Sequence, residues 1–128
     1  MIEFVQKALV ALGIVDLTVK EVDDAFRIYS DGEEIGRFRM KELPGCNAAV
    51  VFHRAWVPEN RRGQGHGKTL HKIRLAAAAA AGYSLAICTV VTANAAQNAI
   101  LTEFGWKPER VWDNPKTGNK VCLWSRGL

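Results

Sequence analysis

The chain of 128 residues is 48% hydrophobic and 23% charged, which is the composition of one globular domain with a single core. No run of 18 apolar residues occurs, and Glu3 and Lys7 interrupt the amino-terminal segment, so neither a membrane span nor a signal peptide is expected. A cytoplasmic protein is therefore predicted. The net charge of +4 is concentrated in residues 53–74, where six arginines and lysines accompany Glu59 as the one acid. This concentration favours a local anion site over a surface that binds nucleic acid throughout.

The first half of the chain predicts one helix and three strands. Helical spacing of apolar residues indicates an amphipathic helix over residues 2–12, which Gly13 ends. Two extended runs within residues 25–40 flank Asp31-Gly32, a dipeptide that favours the positive φ angles of a tight turn, and they predict a β-hairpin. The nearly continuous apolar run 47–57 then predicts a central strand that is buried on both faces.

A strong helix is predicted over residues 67–81, where six consecutive alanines give high helix propensity and Gly82 supplies the stop. Small side chains of this kind let a helix lie close against a sheet. The periodicity predicts that four side chains point inward, Leu70, Ile73, Ala77 and Ala80, and that three point largely outward, His71, Lys72 and Arg74.

The last third of the chain predicts a strand over residues 84–92, a helix capped by Asn94, and a final pair of strands at 107–112 and 120–125. Gln97 stands where a capping-box partner would lie, and Gly105 ends the helix. This order of elements predicts an α/β or α+β protein whose central sheet has mixed strand directions.

The three cysteines, Cys46, Cys88 and Cys122, are odd in number, and no two of them form a CxxC pair. We expect reduced, buried thiols rather than disulfides or zinc ligands. The three histidines also lack the spacing of metal ligands, so no metal site is predicted.

The segment RRGQGHGKTL, residues 61–70, joins the predicted central strand to the alanine-rich helix. The first amide groups of a helix have no partner within the helix, and Gly63, Gly65 and Gly67 carry no Cβ that would keep a bulky anion away from them. A diphosphate is the natural occupant of such a loop. A Walker A loop would need its first glycine at Arg62, and a dinucleotide fingerprint would need its third glycine at Lys68, so both nucleotide motifs fit poorly.

The loop instead resembles the acetyl-CoA motif [Q/R]xxGx[G/A] of the GNAT superfamily of N-acetyltransferases, which follows a strand that often ends in Val-Pro. Here Val57-Pro58 precedes the segment from Arg62 to Gly67. A second feature of the family is an Asn followed eleven and twelve residues later by Gly-Phe, and Asn94, Gly105 and Trp106 keep that spacing with Trp in place of Phe. The resemblance covers about residues 25–125.

The resemblance implies a mixed, mostly antiparallel sheet flanked by helices, and an acetyl-CoA site at the loop. The pantetheine arm would lie along the strand end Ala55 to Val57, the amides of the loop would hold the pyrophosphate, and Thr69 would add a donor. The residues implied to bind the cofactor are Trp56, Val57, Arg62, Gly63, Gln64, Gly65, His66, Gly67, Lys68 and Asn94. The implied reaction transfers an acetyl group from the CoA thioester to a primary amine of a small molecule, peptide or protein.

Two departures from the family pattern leave an alternative open. The usual Tyr acid, seven residues after the Asn, is replaced by Leu101, and only about 24 residues precede Ala25, which predicts a shortened amino-terminal region. The chain is thus either an acetyltransferase, with His53 as the candidate base, or a non-catalytic CoA-binding or structural protein of the kind found in some phage genomes. His53 would otherwise simply pack within the sheet. A second subunit could complete the acceptor groove, and nucleic-acid binding is the weakest alternative because no aromatics alternate with the basic residues.

Overall fold

The computed structural model describes all of residues 1–128 and contains three helices and seven strands. In chain order the elements are α1 (Ile2–Ala11), β1 (Leu17–Val22), β2 (Ala25–Ser30), β3 (Glu33–Leu43), β4 (Cys46–Trp56), α2 (His66–Ala80), β5 (Leu85–Val91), α3 (Ala95–Glu103), β6 (Lys107–Asp113) and β7 (Lys120–Gly127). A short 3-10 turn, Glu59–Arg61, lies between β4 and α2. None of the helices combines the length and apolar character that crossing a lipid bilayer requires.

All seven strands form one sheet in the order β1-β2-β3-β4-β5-β7-β6. Only β4 and β5 are parallel, and every other pair of neighbours is antiparallel. The predicted mixed sheet is therefore confirmed. So is the tight turn at Asp31-Gly32, where both residues have positive φ angles, of 51° and 79°.

The sequence interpretation missed strand β1. Leu17 and Val19 alternate with polar residues in this strand, and Asp23 and Asp24 take positive φ angles of 51° and 62° in the two-residue turn to β2. Such a turn matches the twist of a hairpin, although aspartate occupies it less often than asparagine or glycine. The predicted two-stranded hairpin is thus the middle of a longer antiparallel meander.

The helices contribute to one hydrophobic cluster that also includes alternate side chains of β2, β3, β4, β5 and β7. Helix α2 packs against α1, β3 and β4. The alanine tract performs the expected role, since Ala77 and Ala78 are fully buried. The predicted orientation of the helix was partly wrong, because His71 and Arg74 are 1% and 4% exposed, whereas Ala80 is exposed. The neighbouring elements therefore bury a wider face of helix α2 than the positions of its apolar residues indicate.

Strands β4 and β5 pair over a short distance, from Ala49 opposite Leu85 to Val51 opposite Ile87. Beyond these pairs both strands continue without pairing to each other. Within β4, Arg54 has a φ angle of 53°, and the register against β3 shifts at this point, which marks a β-bulge that bends the strand. The outcome is a gap between the carboxyl-terminal parts of two neighbouring strands.

Candidate functional site

A cavity of about 660 Å³ lies where the end of β4, the glycine loop, the first turns of α2 and helix α3 meet. Nine of the ten residues expected to hold a cofactor line it: Trp56, Val57, Arg62, Gly63, Gly65, His66, Gly67, Lys68 and Asn94. The volume is in the range of sites that hold a small organic ligand. The fold thus brings together residues that are up to 38 positions apart in the sequence.

The backbone N–H groups of residues 63–68 donate no hydrogen bond within the protein, whereas the amide of Thr69 donates to the carbonyl of Gly65 at 3.2 Å. Gly65 caps α2 in the left-handed conformation, with φ of 84°, and no side chain caps the helix. A Cβ is strongly disfavoured at this φ, which explains glycine here. The loop therefore presents consecutive free donors and the positive end of a helix dipole to the cavity.

The basic residues around the loop make different contacts. The Nε of Arg62 donates to the carbonyl oxygen of Val57 at 3.0 Å and ties the loop to the end of β4. Arg61 pairs with Glu33, and the Nζ of Lys68 lies 3.2 Å from the Oε1 of Glu103. These exposed pairs leave a cavity rim with more positive than negative charge.

Asn94 begins α3 as predicted, and its Oδ1 accepts a hydrogen bond from the backbone N–H of Gln97 at 3.2 Å. Its side-chain NH₂ donates no hydrogen bond within the protein, so these two N–H groups are free for a ligand in the cavity. Because the helix holds the oxygen through this hydrogen bond, the side-chain amide of Asn94 has a fixed orientation.

Two residues expected at the cofactor site point elsewhere. The Nε2 of Gln64 donates to the carbonyl of Asn60 at 3.4 Å, and the side chain lines a smaller cavity on the other side of the α2 start. The hydroxyl of Thr69 donates to the carbonyl of Gly65 at 3.2 Å and faces that same smaller cavity. Only the backbone amide of Gln64 remains as a contribution to the loop.

His53 does not line the cavity. Side chains alternate along a strand, and its neighbour Phe52 packs against His71 of α2, so His53 projects from the opposite face of the sheet. It lies two residues beyond Val51, the last β4 residue paired with β5, at the start of the gap. Burial, together with the charges of Arg39 and Arg54, lowers the pKa of His53 below 6.5, so its ring is neutral at neutral pH.

His71 and Arg74, expected on the surface, line the cavity from within α2. The Nε2 of His71 accepts a hydrogen bond from the indole Nε1 of Trp106 at 2.8 Å. Burial lowers the pKa of His71 to about 3, with smaller contributions from Arg74 and Arg126, so the ring is neutral. Because Nε2 is the acceptor, the ring proton is on Nδ1, which is buried and has no partner.

The guanidinium of Arg74 lies 4.5 Å from the ring centre of Phe52 and 5.6 Å from that of Phe38. Burial lowers its pKa to about 10, so it stays charged at neutral pH. It forms no ion pair, and its Nε and Nη1 have no hydrogen-bond partner. The signal that could have identified both residues is their place on a second stripe at helical spacing that also contains the small residues Gly67 and Ala78, beside the apolar stripe.

Leu101 is fully buried in the core and does not line the cavity. The lining residues include no Ser, Thr, Tyr or Cys, so no side-chain hydroxyl or thiol faces the cavity. Cys88 and Cys122 are buried free thiols, as expected. Cys46 is also a free thiol but is exposed, contrary to expectation. No group of three His, Cys, Asp or Glu side chains lies close enough to hold a metal ion.

The sequence matches no protein-family model and no curated protein. The structure is similar to solved acetyltransferases. An IAA acetyltransferase from Bacillus cereus has a TM-score of 0.73 at 16% identity, over 81% of this chain and 77% of that one. A GCN5-related N-acetyltransferase from Kribbella flavida has a TM-score of 0.71 at 19% identity, over 81% and 67%.

A Bacillus subtilis acetyltransferase solved in complex with CoA has a TM-score of 0.67 at 14% identity, over 81% of this chain and 76% of that one. The chain has the fold of the GNAT superfamily. The predicted GNAT-like architecture, with its mixed, mostly antiparallel sheet, is thereby confirmed. In this GNAT fold the cavity opens where the parallel pair ends, beside the start of α2. The similarities give no support to a phage origin.

Proposed function

We propose that this protein binds acetyl-CoA in the cavity and transfers the acetyl group to a primary amine. The observation that carries the proposal is the run of unpaired backbone N–H groups at residues 63–68, which opens into a cavity that also borders the end of β4, where β4 no longer pairs with β5. A ligand with a charged diphosphate at one end and an amide-bearing arm at the other would fit this site. The diphosphate would accept hydrogen bonds from the loop amides, and the arm would lie along the end of β4.

The loop supplies binding energy of the required size. Hydrogen bonds to a charged group contribute about 1.5–3 kcal/mol each, and micromolar affinity requires about 8 kcal/mol. Three or four loop amides therefore account for most of this affinity before ordering costs are subtracted. Along the cavity, the segment from Ala55 to Val57 at the end of β4 and the free NH₂ of Asn94 would receive the polar groups of the pantetheine arm.

The proposed reaction is direct attack of the amine nitrogen on the thioester carbonyl carbon. The new C–N bond forms, the C–S bond breaks, the thiolate leaves on CoA, and one amine proton is released. His53 is the proposed proton acceptor, because its neutral ring lies at the start of the gap and on the face of the sheet away from α2.

One observation favours a second candidate, a CoA-binding protein without turnover. Leu101 is buried in the core, and the cavity lining offers no hydroxyl or thiol that could protonate the leaving sulfur. Acetyl transfer would then depend on a thiolate that leaves without a side-chain acid.

Cofactor binding is tested by the rise in melting temperature that acetyl-CoA or CoA produces. We expect a rise in the wild type and none in Gly65→Val, whose new side chain occupies the open space at the loop. Gly118→Val is the matched control, since Gly118 also has a positive φ, of 74°, and open space around it but lies in the β6–β7 connection. An equal rise in melting temperature in Gly65→Val and Gly118→Val would show that the loop is not part of the cofactor site.

Turnover is tested by thiol release from acetyl-CoA with a panel of amines and peptides. If His53 accepts the proton, the rate falls as the pH drops through a midpoint below 6.5, and His53→Gln abolishes that dependence. Tight CoA binding without thiol release above background would establish the binding protein instead. Thiol release with the same pH profile in His53→Gln would assign the proton to another acceptor.

A further inference from the structure

Two neighbouring side chains on α2 present buried hydrogen-bond donors that have no acceptor. These are the Nδ1–H of His71 and the Nε and Nη1 of Arg74. The residues are three positions apart, on one face of the helix, and both pack against Phe52. Both are more than nine-tenths buried, and both line the cavity.

The chain supplies no acceptor for these donors. Glu103 is the one acidic residue that lines the cavity, and its carboxylate pairs with Lys68. The Cys88 thiol beside Arg74 stays protonated, because burial raises its pKa to about 12. The faces of Phe52 and Phe38 attract the guanidinium but accept no conventional hydrogen bond. A buried cation without a partner anion is costly, so its retention in a cavity wall indicates a ligand.

We propose that His71 and Arg74 bind a carboxylate group of a substrate at the inner part of the cavity. A carboxylate has two acceptor oxygens in a plane, which suits the planar fork of a guanidinium and leaves capacity for the imidazole N–H. The site is separate from the loop that would hold a diphosphate, because Arg74 lies six residues beyond Lys68, about 9 Å along the helix axis.

The inference extends the proposed function, since it names a chemical feature of the substrates. The carboxylate belongs either to the acyl group, in which case the donor is a CoA thioester of a dicarboxylic acid, or to the acceptor amine, in which case the acceptor is an amino acid or a related compound. Both sources share the chemistry that the two donors recognise.

The experiment compares ligands that carry a carboxylate with related ligands that lack it. Calorimetry measures the affinities of CoA, acetyl-CoA and succinyl-CoA, and the affinities of glycine and glycinamide in the presence of CoA. Free succinate and succinamide are compared without CoA, so that a carboxylate site is detected even if CoA does not bind. A failure of CoA itself would overturn the proposed function and leave the succinate comparison intact.

We expect at least a tenfold preference for the carboxylate in at least one of the three comparisons: succinyl-CoA over acetyl-CoA, glycine over glycinamide, or succinate over succinamide. Arg74→Met should remove the preference, and Arg74→Lys should retain part of it because the charge remains without the fork. If Arg74 were only structural, Arg74→Met would lower the melting temperature of the free protein. Removal of an unpaired buried charge should instead leave it equal or higher.

Equal affinities in all three comparisons with the wild type would overturn the proposal. A carboxylate preference that survives unchanged in Arg74→Met would overturn it as well. If Arg74→Met does not fold, Arg74→Lys and the wild-type comparisons still decide between these outcomes.

Discussion

The indole N–H of Trp106 donates to the Nε2 of His71 at 2.8 Å, across 35 residues of sequence, in a part of the core where neither side chain reaches solvent. The ring of Phe52 lies edge-on to both of these rings. The bond fixes the orientation of the imidazole and turns its Nδ1–H away from the indole. One hydrogen bond between α2 and a residue three positions beyond the end of α3 therefore fixes which imidazole nitrogen carries the proton.

We expect Trp106→Phe to lower the free energy of unfolding by about 1–3 kcal/mol, because the buried Nε2 of His71 loses its donor. Urea denaturation measures this loss. Trp112→Phe is the control, since Trp112 is 38% exposed on β6 and should change the free energy by less than about 0.5 kcal/mol. If Trp106→Phe and Trp112→Phe lower the free energy of unfolding equally, the hydrogen bond to His71 does not contribute to stability.

The buried imidazole makes stability depend on pH. The pKa of His71 is about 3 in the folded protein against 6.5 for a free histidine, so the unfolded chain binds more protons between these values. The free energy of unfolding should therefore fall as the pH decreases from about 6.5 towards 3, with a slope of up to about 1.4 kcal/mol per pH unit from this group.

His71→Gln isolates this contribution, since its amide oxygen can accept from Trp106 and the side chain does not titrate. The measurement is the difference in unfolding free energy between the two proteins at several pH values. A difference that stays constant from pH 7 to pH 4 would contradict the assignment.

Gly36 on β3 has no room for a side chain. A Cβ at this position would collide with the Cδ1 of Leu70 and would lie 2.9 Å from the carbonyl oxygen of Trp56. We expect Gly36→Ala to lower the free energy of unfolding by about 1–3 kcal/mol and to weaken CoA binding, since Trp56 lines the cavity. In Gly127→Ala, where nothing lies within 4 Å, both quantities should stay near wild type.

Leu101 stands where the resemblance predicts a catalytic tyrosine, but its side chain is fully buried. We expect Leu101→Tyr to lower stability by about 1–3 kcal/mol through overpacking and to give no increase in thiol release. Thr102→Tyr, at an exposed position of the same helix, should leave stability within about 0.5 kcal/mol of wild type. A faster reaction in Leu101→Tyr without loss of stability would show that position 101 can reach the cavity.

Several features could be predicted from the sequence because they depend on interactions between residues close together in the chain. The glycine loop, the cap at Asn94 and the turn at Asp31-Gly32 depend on backbone conformation and on hydrogen bonds between residues a few positions apart, so their signals are short and complete. Strand β1 was missed because its turn carries two aspartates and its side chains are mostly exposed, which weakens both the turn signal and the alternation.

The orientation of α2 shows the limit of the same reasoning. Polarity predicts that histidine and arginine face water, and this holds when only one side of a helix is covered. Helix α2 contacts α1, β3, β4 and α3, so a second stripe of side chains is buried whatever its polarity.

The sequence by itself determined every helix and strand except β1, the mixed sheet and the loop with its unpaired amides, because these follow from periodicity, turn residues and the fixed requirements of a helix start. Only the tertiary structure decided that His71 and Arg74 enter the cavity, that His53 lies on the other face of the sheet and that Leu101 belongs to the core. The reason is physical. Burial of a side chain depends on which distant segments pack around it, and no local pattern encodes that arrangement.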